Sequence, residues 1–143
     1  MEETRKIKKL ILINDISELN RLVVFLETLE EEWNLPPAIV PQVNLALEEA
    51  LSNVIFYAFE RGSKNEINLD FELEGTVMTI VLSDEGKPYD PTKKEDPDIS
   101  LPAEDRPIGG LGIFLIRQIM DEVMYNRLAN KNQLTMVKRW NHR

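Results

Sequence analysis

The strictest pattern in the chain lies between residues 67 and 83. Ile67, Leu69, Phe71 and Leu73 alternate with Asn68, Asp70 and Glu72, a period of two that gives a strand one apolar and one polar face. Glu74-Gly75 supplies a turn, and residues 76–83 (TVMTIVLS) return as a second, more apolar strand. A two-stranded hairpin with one apolar face does not stand alone in water; it needs more strands and a layer to cover it. The rest of the chain supplies both. Residues 7–13 (IKKLILI) read as a first strand, and Asp15 or Ser17 then opens a helix with Ile16, Leu19, Val23, Leu26, Leu29 and Trp33 recurring every three or four residues. Pro36 and Pro37 end it. A second helix runs from about Ile39 to Phe59 on Val43, Ala46, Leu47, Ala50, Val54 and Tyr57, with Pro41 tolerable only in the first turn. Arg61-Gly62-Ser63 stops it. A third helix follows the glycines at 109–112, with Leu111, Leu115, Ile116, Ile119, Met120 and Val123 as its apolar face. Residues 123–128 and 133–140 form a last strand pair around the turn Asn130-Lys131-Asn132. This order predicts an α+β two-layer sandwich, a mixed, mainly antiparallel sheet with helices on one face.

Composition narrows the chemistry. One domain spanning 1–143, without internal repeats, fits 143 residues that are 43% hydrophobic and 29% charged. With no cysteine there is no disulfide, thiolate metal site or cysteine nucleophile, and the one histidine, His142, is penultimate. A Ser/His/Asp triad and an HExxH zinc site are therefore excluded as readings. No apolar run approaches the ~20 residues that span a bilayer, and the opening residues MEETRKIKKLILI lack a signal-peptide cleavage pattern. A formal charge of −8 argues against nonspecific nucleic-acid binding. The expectation is a cytoplasmic protein with neither a membrane span nor direct nucleic-acid contact.

Three features carry candidate chemistry. On the second helix, Ala46, Ala50, Asn53 and Tyr57 share the buried face, so Asn53 sits where a small apolar residue belongs. Glu49 lies one turn earlier at the lip of that face, and Glu48 points away. A buried amide and carboxylate need partners. They are either a polar pair bonded locally at a helix edge, or a base beside an oxygen ligand for a hard cation such as Mg²⁺. At the end of the second hairpin strand, Asp84-Glu85-Gly86 is either a plain turn or an acceptor for an exocyclic amine such as adenine's, with Gly86 allowing close approach. Finally, Gly109-Gly110-Leu111-Gly112 opens a helix, where backbone N–H groups suit phosphate. It is neither a P-loop nor a dinucleotide fingerprint; a flexible hinge is the alternative. Five of the eight prolines fall within 88–107, a long polar stretch that reads as a lid or binding loop.

Taken together and in this order, the segments LALEEALSNVIFYAF, DEGKPYDP and RPIGGLGIFLIRQIMDEV resemble the three boxes of the GHKL ATP-binding superfamily. Within it the chain is similar to the anti-sigma-factor serine/threonine kinases, over nearly its whole length. The resemblance implies a Bergerat-type sandwich, ATP and Mg²⁺ as cofactors, and a lid at about 91–110. It implies that Asn53 coordinates Mg²⁺, Glu49 is the general base, Asp84 binds the adenine amino group and Gly86 lines the base pocket. It puts Gly110 and Gly112, with Gly109 beside them, in the phosphate lid, and Arg21 at a partner-contacting position. The implied activity is transfer of phosphate from ATP to a serine of an anti-anti-sigma (STAS) protein, with a sigma factor as the other, sequestered partner and a homodimer allowed. Pro88 departs from the family's D-x-G-x-G pattern, standing where a second glycine is expected. Two other readings remain open: a non-catalytic nucleotide-gated binding module, and a detached ATPase or histidine-kinase-type catalytic domain.

Overall fold

The computed structural model describes residues 4–60, 62–93 and 110–141. In chain order these form β1 (Arg5–Ile13), a 3-10 turn (Ile16–Glu18), α1 (Leu19–Trp33), α2 (Ile39–Tyr57), β2 (Glu66–Glu74), β3 (Val77–Asp84), a second 3-10 turn (Pro91–Lys93), α3 (Gly110–Ile119), β4 (Glu122–Leu128) and β5 (Lys131–Arg139). The strands make one sheet in the order β1-β2-β3-β5-β4. The expected two-layer α+β sandwich is present, with one correction: among the described residues the sheet is not mixed, because all four pairings are antiparallel. The reason is topological. β4 runs in the same direction as β3, but the tight β4–β5 hairpin inserts β5 between them and replaces one parallel contact with two antiparallel ones.

Alternation decides the layers. Leu10 and Leu12, the four apolar residues of β2, and Met78, Ile80 and Leu82 of β3 all face the helices and are buried. Leu134 and Met136 continue that face on β5. Above them, α1 buries Leu22, Leu26, Leu29 and Trp33, and α2 buries a broad stripe from Ile39 to Val54. The opposite sheet face mixes ion pairs, as between Lys9 and Asp70, with exposed apolar side chains, Ile7 and Ile11 on β1 and Met124 and Leu128 on β4.

Local chemistry explains the element ends. Asp15 Oδ1 accepts from the Ser17 N–H at 2.9 Å and starts the first 3-10 turn. Asn34, at φ 52°, closes α1 in the left-handed conformation before Pro36. Pro41 lies in the first turn of α2, as its missing N–H requires. Among the described side chains of α3, Ile113 and Ile116 are buried, with Met120 just beyond, whereas Val123 belongs to β4. The last hairpin turns at Ala129 and Asn130, so Lys131 and Asn132 are strand residues rather than turn residues. Ala129 holds φ 54°, a conformation disfavoured for a side chain with a Cβ, which is why the pattern points to the asparagines instead.

Candidate nucleotide site

The core ends in a polar rung. Across the sheet, Leu69, Leu82, Leu134 and Tyr125 stand side by side on the helix-facing side; one rung further on stand Ile67, Asp84, Asn132 and Arg127. Asp84 and Asn132 are 3% and 5% exposed, so both are buried where apolar residues would continue the core. They pay for that position only by bonding. Asp84 Oδ1 accepts from the Gly86 N–H (2.9 Å) and from Asn132 Nδ2 (3.0 Å). Its other oxygen makes no hydrogen bond among the described residues. Burial pushes the Asp84 carboxyl above its ordinary range, and the bonds from Asn132 and Gly86, with the Arg127 charge, pull it part of the way back.

The loop after Asp84 is clamped from two sides. From the hairpin, Arg127 Nη1 donates to the Gly86 carbonyl (2.8 Å) and Asn130 Nδ2 to Glu85 (2.8 Å). From the helix layer, the Ala58 carbonyl accepts from the Lys87 N–H at 2.9 Å. Gly86 is pressed against α2 so closely that a Cβ there would lie 2.8 Å from Ala58 Cβ and closer still to the Ala58 carbonyl oxygen. The requirement for glycine thus comes from helix–loop packing.

Opposite the sheet, α2 carries Asn53, buried at 7% exposure, with no hydrogen bond to its side chain among the described residues. Asn53 and Asp84 line one cleft of about 370 Å³, mouth included, with apolar walls from Ala50, Leu82, Ile116 and Leu134. Tyr89 also lines it and stacks on Tyr57, with ring centroids 5.7 Å apart and planes 18° apart. Glu49, one turn before Asn53, is half-buried and unpaired among the described residues. Glu48 is not fully in solvent: it is half-buried and accepts from Asn44 Nδ2 at 3.0 Å. An acceptor and an unpaired amide on facing layers of an apolar slot suit a flat base with a polar tail.

A family model for the histidine kinase-like ATPase domain matches residues 14–138. The chain belongs to this family. Relatives within it include the serine/threonine-protein kinase BtrW of Bordetella bronchiseptica, 31% identical over 94 residues, a match covering 66% of each chain. The serine-protein kinase RsbW of Halalkalibacterium halodurans is 33% identical over 88 residues, 59% of this chain and 53% of that relative. The matches thus span between about half and two thirds of the length of these relatives. Among solved structures, the RsbU and RsbW domains of a Mycobacterium tuberculosis protein superpose with a TM-score of 0.66 at 14% identity, covering 94% of this chain and 32% of that one. A histidine kinase domain from Erythrobacter litoralis superposes at 0.52 and 12%, covering 87% and 60%. Both share the fold.

Against this family's frame, the expected residues sort by position. Asn53 and Asp84 meet in the cleft, with Glu49 at one helical turn and Gly86 directly behind Asp84. Gly110 and Gly112 lie in the first turn of α3, while Gly109 and most of the expected lid at 91–110 fall outside the described residues. Arg21 stands apart from the cleft on α1, where its Nη1 pairs with Glu18 Oε2 at 2.7 Å. Glu18 in turn accepts from the Ile13 N–H, tying the helix start to the end of β1. No helix among the described residues is long and apolar enough to cross a membrane.

Asn132 is the site residue that pattern reading misses. The signal was available: Leu134 and Met136 face inward, so two residues back an inward polar side chain is due at 132. Assigning that asparagine to the turn hides it.

Proposed function

We propose that the chain is a single GHKL-type ATP-binding domain acting as an ATP-dependent protein serine/threonine kinase, an anti-sigma regulatory factor of the cytoplasm. The observation that carries this reading is the cleft itself, with Asp84 offering an unpaired acceptor from the sheet and Asn53 an unpaired amide from the helix layer. The names of the relatives BtrW and RsbW support protein serine as the acceptor.

The residues fit both groups. Asp84 Oδ2 would accept from the 6-amino group of adenine, and the apolar walls would hold the ring. Among the described residues the Asn53 amide oxygen has no hydrogen-bond partner, which suits a hard cation. Among the described residues no three acidic or histidine side chains cluster into a metal cage. Mg²⁺ needs few protein oxygens and completes its shell with substrate phosphates and water. When bound, Mg²⁺ neutralises charge on the phosphate chain. Glu49, half-buried and unpaired, is free to take the proton from a serine hydroxyl as its oxygen bonds to the terminal phosphorus and ADP leaves. Gly109, Gly110 and Gly112 would close over the phosphates as part of the lid. Arg21, already held by Glu18, presents the remaining guanidinium N–H groups to a protein partner. The partners proposed are a STAS-domain anti-anti-sigma protein as substrate and a sigma factor for sequestration.

The test is incubation with Mg²⁺ and γ-labelled ATP together with STAS-domain proteins encoded beside this chain. Acid-stable label on a serine or threonine is the expected result. Nucleotide-dependent sigma-factor binding without any transfer would replace the kinase with a binding module.

A further inference from the structure

Asn132 uses every hydrogen-bonding position its side chain has. Nδ2 donates to Asp84 Oδ1 at 3.0 Å and to the Lys87 carbonyl at 2.9 Å. Oδ1 accepts from the Tyr89 N–H at 3.2 Å and from the Tyr125 hydroxyl at 2.5 Å. A carboxamide has two donors and two acceptor lone pairs, so the inventory is complete. The orientation follows from the chemistry of its neighbours. Turned over, the amide oxygen would face the Asp84 carboxylate and the Lys87 carbonyl, both acceptors.

This bonding has two consequences at the cleft. Gly86 and Asn132 both engage the same oxygen of Asp84, so the carboxylate cannot rotate without breaking two bonds. Oδ2 is left as the acceptor that the cleft can use. The same side chain also bridges Pro88, holding the carbonyl before it and the N–H after it where the proline itself brings no donor. A rigid proline stands where a second glycine was expected, and Asn132 is what anchors the chain on either side of it. Tyr89, fixed this way, keeps its place on the cleft wall against Tyr57.

Resting on the reading of this cleft as a nucleotide site, we infer that Asn132 is a specificity-determining positioning residue: by turning Asp84 it makes the site select 6-aminopurine over 6-oxopurine nucleotides. A 6-amino group donates to the free oxygen. A 6-oxo group brings a second acceptor against a buried carboxylate, and a site built to accept a hydrogen bond rejects a ligand that cannot give one.

The experiment compares ATP with inosine triphosphate, each with Mg²⁺, by calorimetry on the full chain. Three variants join the parent: Asn132→Asp, which keeps the shape but replaces two donors with acceptors, Asn132→Ser, and Asn126→Asp as a charge control on the exposed face of β4. The parent should favour ATP, and both Asn132 variants should lower the ATP-over-inosine ratio by about tenfold or more. Asn126→Asp should leave it unchanged. Should Asn132→Asp not fold, Asn132→Ser decides, and Tyr125→Phe, which removes one of the four bonds, should move the ratio the same way by a smaller factor. A purely structural Asn132 would lower thermal stability and leave the ratio intact, which overturns the inference while the nucleotide site stands. A parent that binds neither nucleotide overturns the nucleotide reading and this inference with it.

Discussion

Gly86→Ala and Gly62→Ala are the same chemical change with opposite physical content. Gly86 does not hold a positive φ, so alanine brings no backbone strain; it brings a Cβ 2.8 and 2.9 Å from Ala58 Cβ and carbonyl carbon. Carbon atoms pack best at about 3.5–4.0 Å, so the loop after β3 must move off α2. Overpacking of this kind costs about 1–3 kcal/mol. The Lys87 N–H bond to Ala58, 2.9 Å long, then stretches or breaks, adding about 1 kcal/mol. The sum is on the order of 3 kcal/mol, or roughly 10 °C in Tm for a domain of this size. Gly62 is the mirror case: its φ is +88° and nothing lies within 4 Å of a Cβ. There alanine costs only its backbone conformation, about 1–2 kcal/mol. Urea unfolding followed by circular dichroism, without nucleotide, measures both. A Gly86→Ala protein within about 0.5 kcal/mol of the parent would refute the claim that the Asp84 loop rests on the end of α2.

Asn53→Ala should abolish Mg²⁺-dependent ATP binding while leaving stability unchanged or slightly raised, because it removes a buried amide that the protein does not bond; a loss of about 2 kcal/mol in urea unfolding would make Asn53 structural. Glu49→Gln should keep ATP binding and lower phosphate transfer about 10²-fold or more, measured in single-turnover assays; Glu48→Gln keeps an acceptor oxygen for Asn44 and should change neither. Asp84→Asn keeps an acceptor for Gly86 and Asn132 but turns a donor toward the cleft, so discrimination against guanine nucleotides should fall. The same variant tests linkage: because burial raises the Asp84 carboxyl above 3.8, the folded state holds that proton more tightly, and this group's contribution to stability falls as pH rises from 3.8 through the raised value. Asp84→Asn should flatten that part of the stability–pH curve, and an unchanged curve would mean the carboxylate is solvated. Ala129→Gly should add about 1 kcal/mol by relieving the left-handed turn residue, read as a rise in urea midpoint.

What could be read in advance follows from which signals are local. The β2–β3 hairpin is legible because its period of two and the turn glycine, Gly75 at φ 64°, agree. α2 is legible because Pro41 and the apolar stripe agree. Asn53 stands out because a polar residue interrupts a regular buried face, and Asp84 because a charge ends a buried strand. Two things were not legible. The β4–β5 turn rests on Ala129, whose sequence identity gives no hint of a positive φ, so the pattern starts the strand at 133, two residues after its true beginning at Lys131. Strand order is non-local as well: nothing within β5 says that it lies between β3 and β4 rather than outside them. Both gaps fall on the same residue. Asn132 needs the correct turn to be a strand residue and the correct order to face Asp84.

That dependence explains why the hairpin insertion matters to the site. Had β4 paired directly with β3 in parallel, as a simple β-α-β unit would, the β5 side chains would lie at the far edge of the sheet. Insertion instead puts Asn132 directly across from Asp84 and Arg127 one strand beyond. It also brings the hairpin turn beside the Asp84 loop, where Asn130 reaches Glu85 and Arg127 reaches the Gly86 carbonyl. One topological choice therefore supplies the donors that make a buried carboxylate tolerable and the anchors that hold Pro88 in place of a glycine. The helix layer contributes independently, through Ala58 under Gly86 and Asn53 across the cleft. The acceptor is built by the sheet and the unpaired amide by the helix, so each can be altered without unmaking the other.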